Sequence, residues 1–294
     1  MHANRRVKGK WLCLLALLLP LSAMPAPPLA AAAPAAAQAA TDELTWGIEP
    51  FLHPRNLAPT FKSSRDFLSE RTGTRIVTTT GANYDQFVAN VLRSEYDMAL
   101  LGPHTGLLAI QKAGYLPLLQ CESTLKAILL VDKSSTYRTP QDLKGKLVAL
   151  PDHLTITSML GAEFFRAQPG APAIDVQYRF NDFQIDGPLM ALKGEVAAAV
   201  MADEVYDLIS PHIRADLRII GESRRVPGLS LLVHKRVPPE RRERLRAASL
   251  EFLRTADPRV NLFVRTCVAS EKSLGEEALR QLAPYVEELK RRLP

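Results

Sequence analysis

Short apolar runs and amphipathic stretches alternate along most of the chain. Apolar and β-branched residues at 44–48 are followed by an amphipathic stretch over 61–72, and the same order returns at 75–80 and 84–94. The apolar residues of this last stretch have the spacing of one buried helix face: Phe87, Val88, Val91 and Leu92. Alternating strands and helices predict an α/β fold.

A second block of the same kind begins near residue 133. Strands are predicted at 146–150 and 196–201, with a helix over 155–167 between them. The run at 196–201 is apolar throughout, as expected of a central strand covered on both faces. From Pro238 onward the chain becomes helical and charged. The sequence therefore predicts two α/β lobes divided near residue 132, with a helical tail.

The first 40 residues differ in character from the rest. Four basic residues precede an apolar run that ends at Pro20, and small residues follow, with Ala-x-Ala options such as 37–39. This order is typical of a secretory signal peptide. The apolar run is shorter than the about 20 residues that span a bilayer. We expect a cleaved leader over 1–40 and an exported, periplasmic protein; an uncleaved anchor is the alternative.

The charge changes once the leader is set aside. The full chain has 37 Lys and Arg against 31 Asp and Glu, a net charge of +6. The first 40 residues hold four of the basic ones and no acidic ones, which leaves 33 against 31, or +2. Arginines over 241–254 alternate with Glu240, Glu243 and Glu251, as on a solvated helix face. A nucleic-acid partner is therefore not expected.

Composition excludes further classes of protein. The chain is 47% hydrophobic and 23% charged, which is ordinary for a globular protein. No second apolar stretch approaches spanning length, so an integral membrane protein is not expected after the leader. Cys121 and Cys267 could form one disulfide in an oxidising compartment, but without geometry two free thiols are slightly favoured.

Several runs, in this order, resemble the phosphonate-binding family of periplasmic substrate-binding proteins: Gly47-Ile48-Glu49-Pro50, 67–73, Tyr84-Asp85-Gln86-Phe87, 97–103, 142–146, and Leu150-Pro151-Asp152 leading into 155–158. The resemblance spans roughly residues 44 to 235. It implies a type II periplasmic-binding fold, in which two α/β lobes are joined by two crossovers. By analogy, lobe 1 comprises 43–131 plus 226–294 and lobe 2 comprises 132–225. Hinges are then expected near 131–133 and 222–229.

The resemblance also implies the function of a binding protein. Such proteins deliver small oxyanions to an ABC importer, so an oxyanion ligand, an ABC permease and a monomeric state are expected, with no cofactor and no enzymatic activity. A ligand-sensing module for a membrane kinase would use the same fold and the same closure, and the sequence does not separate the two.

Residue chemistry independently supports an anion site at the start of one helix. Ligands of α/β sheets bind beyond the carboxyl ends of strands, and Leu150 ends such a strand. The following helix begins with Thr155, Ile156, Thr157 and Ser158. Free N–H groups of a first turn accept an oxyanion without Lys or Arg, and hydroxyls add donors. Simple capping by Thr155 is the compatible alternative.

Three other loops are candidates for the opposite wall. In the family, a tyrosine at the position of Tyr84 contacts the phosphorus oxygens, although a half-buried surface tyrosine is the alternative. Another strand-to-helix turn is formed by Gly102, Pro103, His104 and Thr105. Glu49 lies in the loop after the first strand.

The residues that would select the ligand depart from the family. Leu125 followed by Lys126 replaces an aromatic position, and of a Ser-His-acidic pattern only Asp186 is kept, after Gln184-Ile185. Ile156 replaces a hydroxyl residue. A phosphonate with an amino group is therefore doubtful, and phosphate, phosphite, a sulfur oxyanion or a carboxylate stays open. Lys126 is the formal charge expected near the ligand.

Two further classes of function have some support in the sequence. His53, His104 and His153 fall in separate loops that could converge on a metal, but no short ligand spacing supports this, and surface-loop histidines are preferred. For an enzyme, Asp152-His153 beside Thr155 could be drawn as a base and nucleophile. A helix-start cluster is the simpler interpretation, and no hydrolase, zincin or nucleotide-binding motif is present.

Overall fold

A computed structural model describes residues 43–121, 123–167, 169–257, 263–264, 267, 269–270 and 275–293. The expected leader, 1–40, lies outside the described residues. Within the described part of the chain, no helix is both long and apolar enough to cross a membrane.

Two β-sheets organise the described part of the chain. The first sheet has the strand order β2-β1-β3-β12-β4-β13. Its strands are β1 (Glu43–Ile48), β2 (Arg75–Thr79), β3 (Met98–Leu101), β4 (Tyr115–Cys121), β12 (Ser230–His234) and β13 (Ala269–Ser270). β1 pairs in parallel with both β2 and β3, whereas β12 runs antiparallel to its two neighbours. The fully apolar β3 is covered on both faces, as its sequence predicts.

The second sheet repeats this plan. Its order is β10-β6-β9-β7-β8, with β7 parallel to β8 and β9 and with β6 antiparallel to β9 and β10. The strands are β6 (Ala127–Asp132), β7 (Leu147–Pro151), β8 (Gln177–Asn181), β9 (Ala198–Ala202) and β10 (Leu217–Glu222).

A small antiparallel ribbon lies where the chain passes between the sheets. It pairs β5 (Thr124–Leu125) with β11 (Val226–Pro227). β6, which the sequence boundary at 131/132 assigned to lobe 1, pairs in the second sheet, so that boundary lies one strand too late. The reason is that β6 is apolar from Ala127 to Val131 and no Gly or Pro immediately precedes it, so the crossover before it is not visible in the sequence. The expected hinge at 131–133 accordingly lies at the end of β6.

Helices cover the faces of both sheets. They are α1 (Pro54–Thr72), α2 (Tyr84–Leu92), α3 (Pro103–Lys112), α4 (Ile156–Glu163), α5 (Asp186–Leu192), α6 (Asp203–Tyr206), α7 (Pro211–Ala215), α8 (Pro239–Thr255) and α9 (Glu276–Arg292), with a 3-10 turn at Pro140–Leu143. α1 ends at Gly73, whose φ of 64° is the left-handed conformation that glycine adopts without strain. α1 also begins earlier than the sequence predicted, because Pro54 fits the first turn of a helix.

The core of the first sheet is built around an aromatic cluster. The Trp46 ring meets Phe61 of α1 at a centroid distance of 5.9 Å and Phe263 at 5.7 Å, both edge to face. Phe67 of α1 packs against Phe252 of α8 at 5.2 Å. These contacts hold α1 and α8 on the same face of the sheet.

The helix α9 packs across elements of both sheets. Its buried residues Leu282, Tyr285, Val286 and Leu289 belong to an apolar cluster that includes Leu108 of α3 as well as residues of β6 and β7. The Tyr285 hydroxyl donates to Glu163 Oε1 at the end of α4 (2.6 Å), and Arg292 donates to the carbonyl of His153 just before α4. The tail predicted as part of lobe 1 therefore also contacts the second half.

Cys267 is disulfide-bonded, so the expectation of two free thiols is wrong. Geometry that the sequence does not contain decides this point, because a disulfide requires two Cα atoms within about 7 Å. The side chains of the other two cysteines, Cys13 and Cys121, lie outside the described residues.

Candidate functional site

The starts of four helices meet around one cavity between the two sheets. Three of them, α3, α4 and α6, follow the carboxyl ends of β3, β7 and β9, and the fourth is α2. Its volume, taken as the space open to the centre of a water molecule, is about 40 Å³, and the cavity is partly open to solvent. Its lining residues are Glu49, Phe51, Tyr84, Gly102, His104, Leu125, Thr155, Ile156, Thr157, Gln184, Ala202, Glu204, Val205 and Leu229. Carboxyl ends of strands and helix starts are where α/β folds bind ligands.

The first turn of α4 presents unused donors to this cavity. The Thr155 hydroxyl accepts from Ser158 N (3.1 Å) and donates to the Asp152 carbonyl (2.8 Å), so it is committed as the helix cap. The Ser158 hydroxyl donates to the Pro151 carbonyl (3.1 Å). In the described part of the chain, the N–H groups of Ile156 and Thr157 and the Thr157 hydroxyl have no such partner. These groups can receive an oxyanion.

Tyr84 and His104 form the wall that faces α4. Tyr84 opens α2 and is buried; burial raises the pKa of its hydroxyl well above the usual range, with the charges of Glu49 and Asp152 adding to the effect. The hydroxyl therefore stays protonated and can donate. His104 is fully buried, and burial lowers the pKa of its imidazole to about 4, against the opposing effect of its bond to the Leu154 carbonyl.

Glu49 is a buried carboxyl at the end of β1. Its Oε2 accepts the N–H of Gly102, the residue that caps α3, and a side chain at Gly102 would come within 3.0 Å of that oxygen. Burial raises the pKa of Glu49 to about 7, the Gly102 N–H opposes this, and the charge of Asp152 adds to it. Glu49 is therefore partly protonated at neutral pH.

The remaining lining is mixed. The Oε1 of the buried Gln184 accepts from Ala202 N (2.8 Å), which orients the side chain at the cavity wall. Glu204 contributes a second acidic residue, and the other side chains are apolar: Phe51, Leu125, Val205 and Leu229. No Lys or Arg is among the lining residues of the described structure. Any positive potential in the cavity must therefore come from helix dipoles and N–H groups.

Most of the predicted site residues are brought together, and some are not. Pro103, Thr105 and Ser158 flank the cavity without lining it. Lys126 points away from it, with Nζ 2.5 Å from Glu222 Oε2. Asp186 is outside as well, where its Oδ1 lies 3.1 Å from His53 Nε2. The predictions of Lys126 and Asp186 at the ligand therefore find no support in the geometry, and Leu125 and Gln184 occupy the corresponding places.

The three loop histidines do not converge. His53 contacts Asp186, and its ring packs on Phe183 at a centroid distance of 3.9 Å. His104 contacts the carbonyl of Leu154, while Nδ1 of His153 is 3.5 Å from Asp152 Oδ1. The described residues contain no group of three or more His, Cys, Asp or Glu side chains that could hold a metal ion.

Sequence reasoning missed the apolar half of the lining. Phe51, Val205 and Leu229 carry no chemical signal that separates them from ordinary core residues. Gln184 could have been found, because it sits in the segment where the family has a polar pattern and is two positions from Asp186. Which of the two faces the cavity depends on the start of α5, at which Asp186 is the first residue.

Two sheets of strand order 2-1-3-n-4, linked by two crossovers around a cavity lined by helix starts, define the class of proteins with a type II periplasmic-binding fold. Residues 46–263 match the model of the family described as ABC transporter, phosphonate, periplasmic substrate-binding protein. The chain belongs to this family, whose members are transport binding proteins rather than enzymes. No curated protein sequence matches the chain.

Solved structures agree with this fold. The protein PhnD1 from Prochlorococcus marinus, in complex with methylphosphonate, has a TM-score of 0.71 and 16% identity, and the match covers 86% of this chain and 98% of that chain. A binding protein component of an ABC phosphonate transporter from Pseudomonas aeruginosa has a TM-score of 0.64 and 16% identity. The match covers 85% of this chain and 97% of that chain. The alkanesulfonate-binding protein SsuA from Xanthomonas axonopodis pv. citri, bound to MOPS, has a TM-score of 0.54 and 18% identity. The match covers 86% of this chain and 94% of that chain.

Proposed function

We propose that this chain is an exported solute-binding protein that captures a small oxyanion of the phosphonate, phosphite or phosphate type and delivers it to an ABC importer. The leader over 1–40 directs export and is removed near residue 40, and the mature protein acts as a periplasmic monomer. Membership of an ABC-transporter family favours an importer over a membrane sensor kinase as the partner.

The free N–H groups of Ile156 and Thr157 carry the proposal. They lie at the positive end of α4, where both residues line the cavity, and no described side chain accepts a hydrogen bond from them. Backbone donors in such a place cost free energy unless a ligand satisfies them. The Thr157 and Tyr84 hydroxyls supply two further donors from opposite walls, and together they suit a small oxyanion.

Closure of the two halves is proposed to occur about the crossovers. β5 and β11 are the short segments that join the sheets, and each absorbs rotation with few contacts to break. The ligand would favour the closed arrangement because it contacts α4 of one half and α2 and α3 of the other only when both surround it.

Calorimetry and thermal shift with phosphate, phosphite, methylphosphonate, sulfate and small carboxylates test the function. At least one anion should raise the melting temperature. Thr157→Val should weaken its binding about tenfold or more, since hydrogen bonds to charged groups contribute about 1.5–3 kcal/mol. Thr60→Val is the matched control, because the Thr60 hydroxyl donates only to its own helix, at the Asn56 carbonyl.

A backbone variant tests the site directly. Ile156 is the first residue of α4, where proline fits, and the extended ψ of 145° at Thr155 suits a residue before proline. Ile156→Pro removes one free N–H and should weaken binding of the anion. Ile156→Val keeps that N–H and should leave the affinity unchanged. Undiminished affinity in both Thr157→Val and Ile156→Pro would refute the site.

A further inference from the structure

The wall opposite α4 contains a hydrogen-bond acceptor without a donor. Nε2 of His104 lies 2.8 Å from the carbonyl oxygen of Leu154. A carbonyl only accepts, so Nε2 carries the hydrogen and Nδ1 of the neutral ring is a bare lone pair. His104 is fully buried and lines the cavity, and its Nδ1 has no hydrogen-bond partner in the described part of the chain.

Carboxyl groups extend this acceptor character. Glu49 uses one oxygen to accept the Gly102 N–H, and its side chain lines the same cavity as His104. Glu204 lines it too. With no Lys or Arg among these lining residues, a fully ionised anion would find donors at α4 and at the Tyr84 hydroxyl, but lone pairs at His104 and Glu49.

We propose that Glu49 and His104 form an acceptor wall that selects an oxyanion carrying its own proton, so that the ligand class is singly protonated phosphorus oxyanions rather than sulfonates or sulfate. The inference rests on the proposed function and narrows it. The ligand's ionised oxygens take the donors of Ile156 and Thr157, and its P–O–H group donates to the acceptor wall. A sulfonate of the same shape has no proton to give and leaves Nδ1 of His104 buried and unpaired.

The energetic basis is the cost of an unpaired buried polar group. Leaving such a group unpaired costs about 1–3 kcal/mol of binding free energy. A site built to hydrogen-bond a ligand's proton therefore strongly rejects an isostere without that proton. A single acceptor therefore implies at least about tenfold discrimination. Two acceptors that share one ligand proton add no second full contribution, since the wall acts as one unit.

Methylphosphonate and methanesulfonate make a matched pair for the first test. They share size and shape, but only the phosphonate has a P–O–H that titrates near neutral pH. Calorimetry of the wild-type chain at pH 8, above the pKa of about 7 for Glu49, leaves that carboxyl mostly ionised, so that the ligand is the main source of the proton. The other titratable groups around Glu49 are Tyr84, Asp152, His104 and Glu204. Methylphosphonate should bind at least tenfold more tightly.

Variants locate the selectivity. Glu49→Gln keeps an acceptor for the Gly102 N–H but offers an amide donor, and His104→Gln keeps an N–H for the Leu154 carbonyl but removes the Nδ1 lone pair. Each should reduce the ratio of methylphosphonate affinity to methanesulfonate affinity about tenfold. In Glu49→Gln, part of this change should come from tighter binding of methanesulfonate. Glu251→Gln, which removes a carboxylate from a surface pair with Arg71, should leave the ratio unchanged.

The outcomes are distinguishable. Binding of neither anion, nor of phosphate or phosphite, overturns the proposed function and this inference together. Equal binding of methylphosphonate and methanesulfonate by the wild-type chain overturns the acceptor wall and leaves the oxyanion function intact. That comparison needs no variant to fold. An unchanged ratio in folded Glu49→Gln and His104→Gln would likewise contradict the assignment to these two residues.

Discussion

His104 Nε2 lies 2.8 Å from the carbonyl oxygen of Leu154, and this bond joins α3 of the first half to the turn before α4 of the second. It is a direct polar contact between the two walls of the cavity. Because the histidine is fully buried, its neutral tautomer and its orientation are set by this one acceptor.

The contact predicts a stability effect. His104→Ala removes a buried donor and leaves the Leu154 carbonyl unpaired, so we expect the free energy of unfolding to fall by about 1–3 kcal/mol. Urea denaturation measures it. His212→Ala on α7 is the control, since His212 is exposed and should give a change near zero. Equal stability of both variants would show that the interlobe bond contributes nothing.

Glu49 predicts a pH dependence of stability. Its pKa rises from 4.5 in the unfolded chain to about 7 in the folded one, so its favourable contribution is complete below 4.5 and is lost as pH rises through 7. Glu49→Gln lacks this loss. The unfolding free energy of the variant minus that of the wild type should therefore increase between pH 4.5 and 8, by on the order of 3 kcal/mol.

His104 makes the unfolding free energy rise, rather than fall, with pH over part of this range. The pKa of His104 falls from 6.5 to about 4, so its contribution is complete above 6.5 and is lost as pH drops through 4. Because His104 is present in both proteins, taking the difference between variant and wild type removes its effect. A constant difference across pH 4.5–8 would contradict the raised pKa of Glu49.

The packing of α4 predicts that a small residue is needed at 161. A Cβ at Gly161 would lie 2.5 Å from Cγ1 of Val200 on β9. Gly161→Ala should therefore push α4 off the sheet, lower stability by about 1–3 kcal/mol and weaken anion binding, because the helix start moves with it. Gly275→Ala is the control: its φ is −67° and no atom lies near its Cβ position. Unchanged anion affinity in Gly161→Ala would show that the ligand does not depend on the position of α4.

Tyr285 predicts how α9 supports the site. Its hydroxyl donates to Glu163 Oε1 at 2.6 Å and accepts from Arg224 at 2.6 Å. Tyr285→Phe should lower the unfolding free energy by about 1–3 kcal/mol, because the partly exposed network of Glu163 and Arg224 loses its buried central member. The control is Tyr137→Phe, since Tyr137 contributes its backbone carbonyl to Arg218. A melting temperature equal to that of the control would contradict this role.

Secondary structure and the helix starts of the site were predictable because they rest on local patterns. The cap at Thr155, the apolar β3 and β9, and the turn at Gly102 are all visible in the sequence. The orientation of individual side chains was not. Leu125 lines the cavity while its neighbour Lys126 points to Glu222, because successive residues of an extended strand face opposite sides. The register of β5 depends on its pairing with β11, a strand distant in the sequence. Arg225, next to β11, donates to the carbonyl of Thr124, which is 101 residues away.

The position of Trp46 has a spectroscopic consequence. The chain has two tryptophans, and the other, Trp11, lies in the leader. Trp46 is fully buried between Phe61 and Phe263 and is not among the residues that line the cavity. A chain without the proposed leader should therefore fluoresce from a single apolar environment, with a blue-shifted emission that reports unfolding faithfully. A titration followed by that emission would be nearly silent to a ligand, so binding has to be followed by heat or by melting temperature.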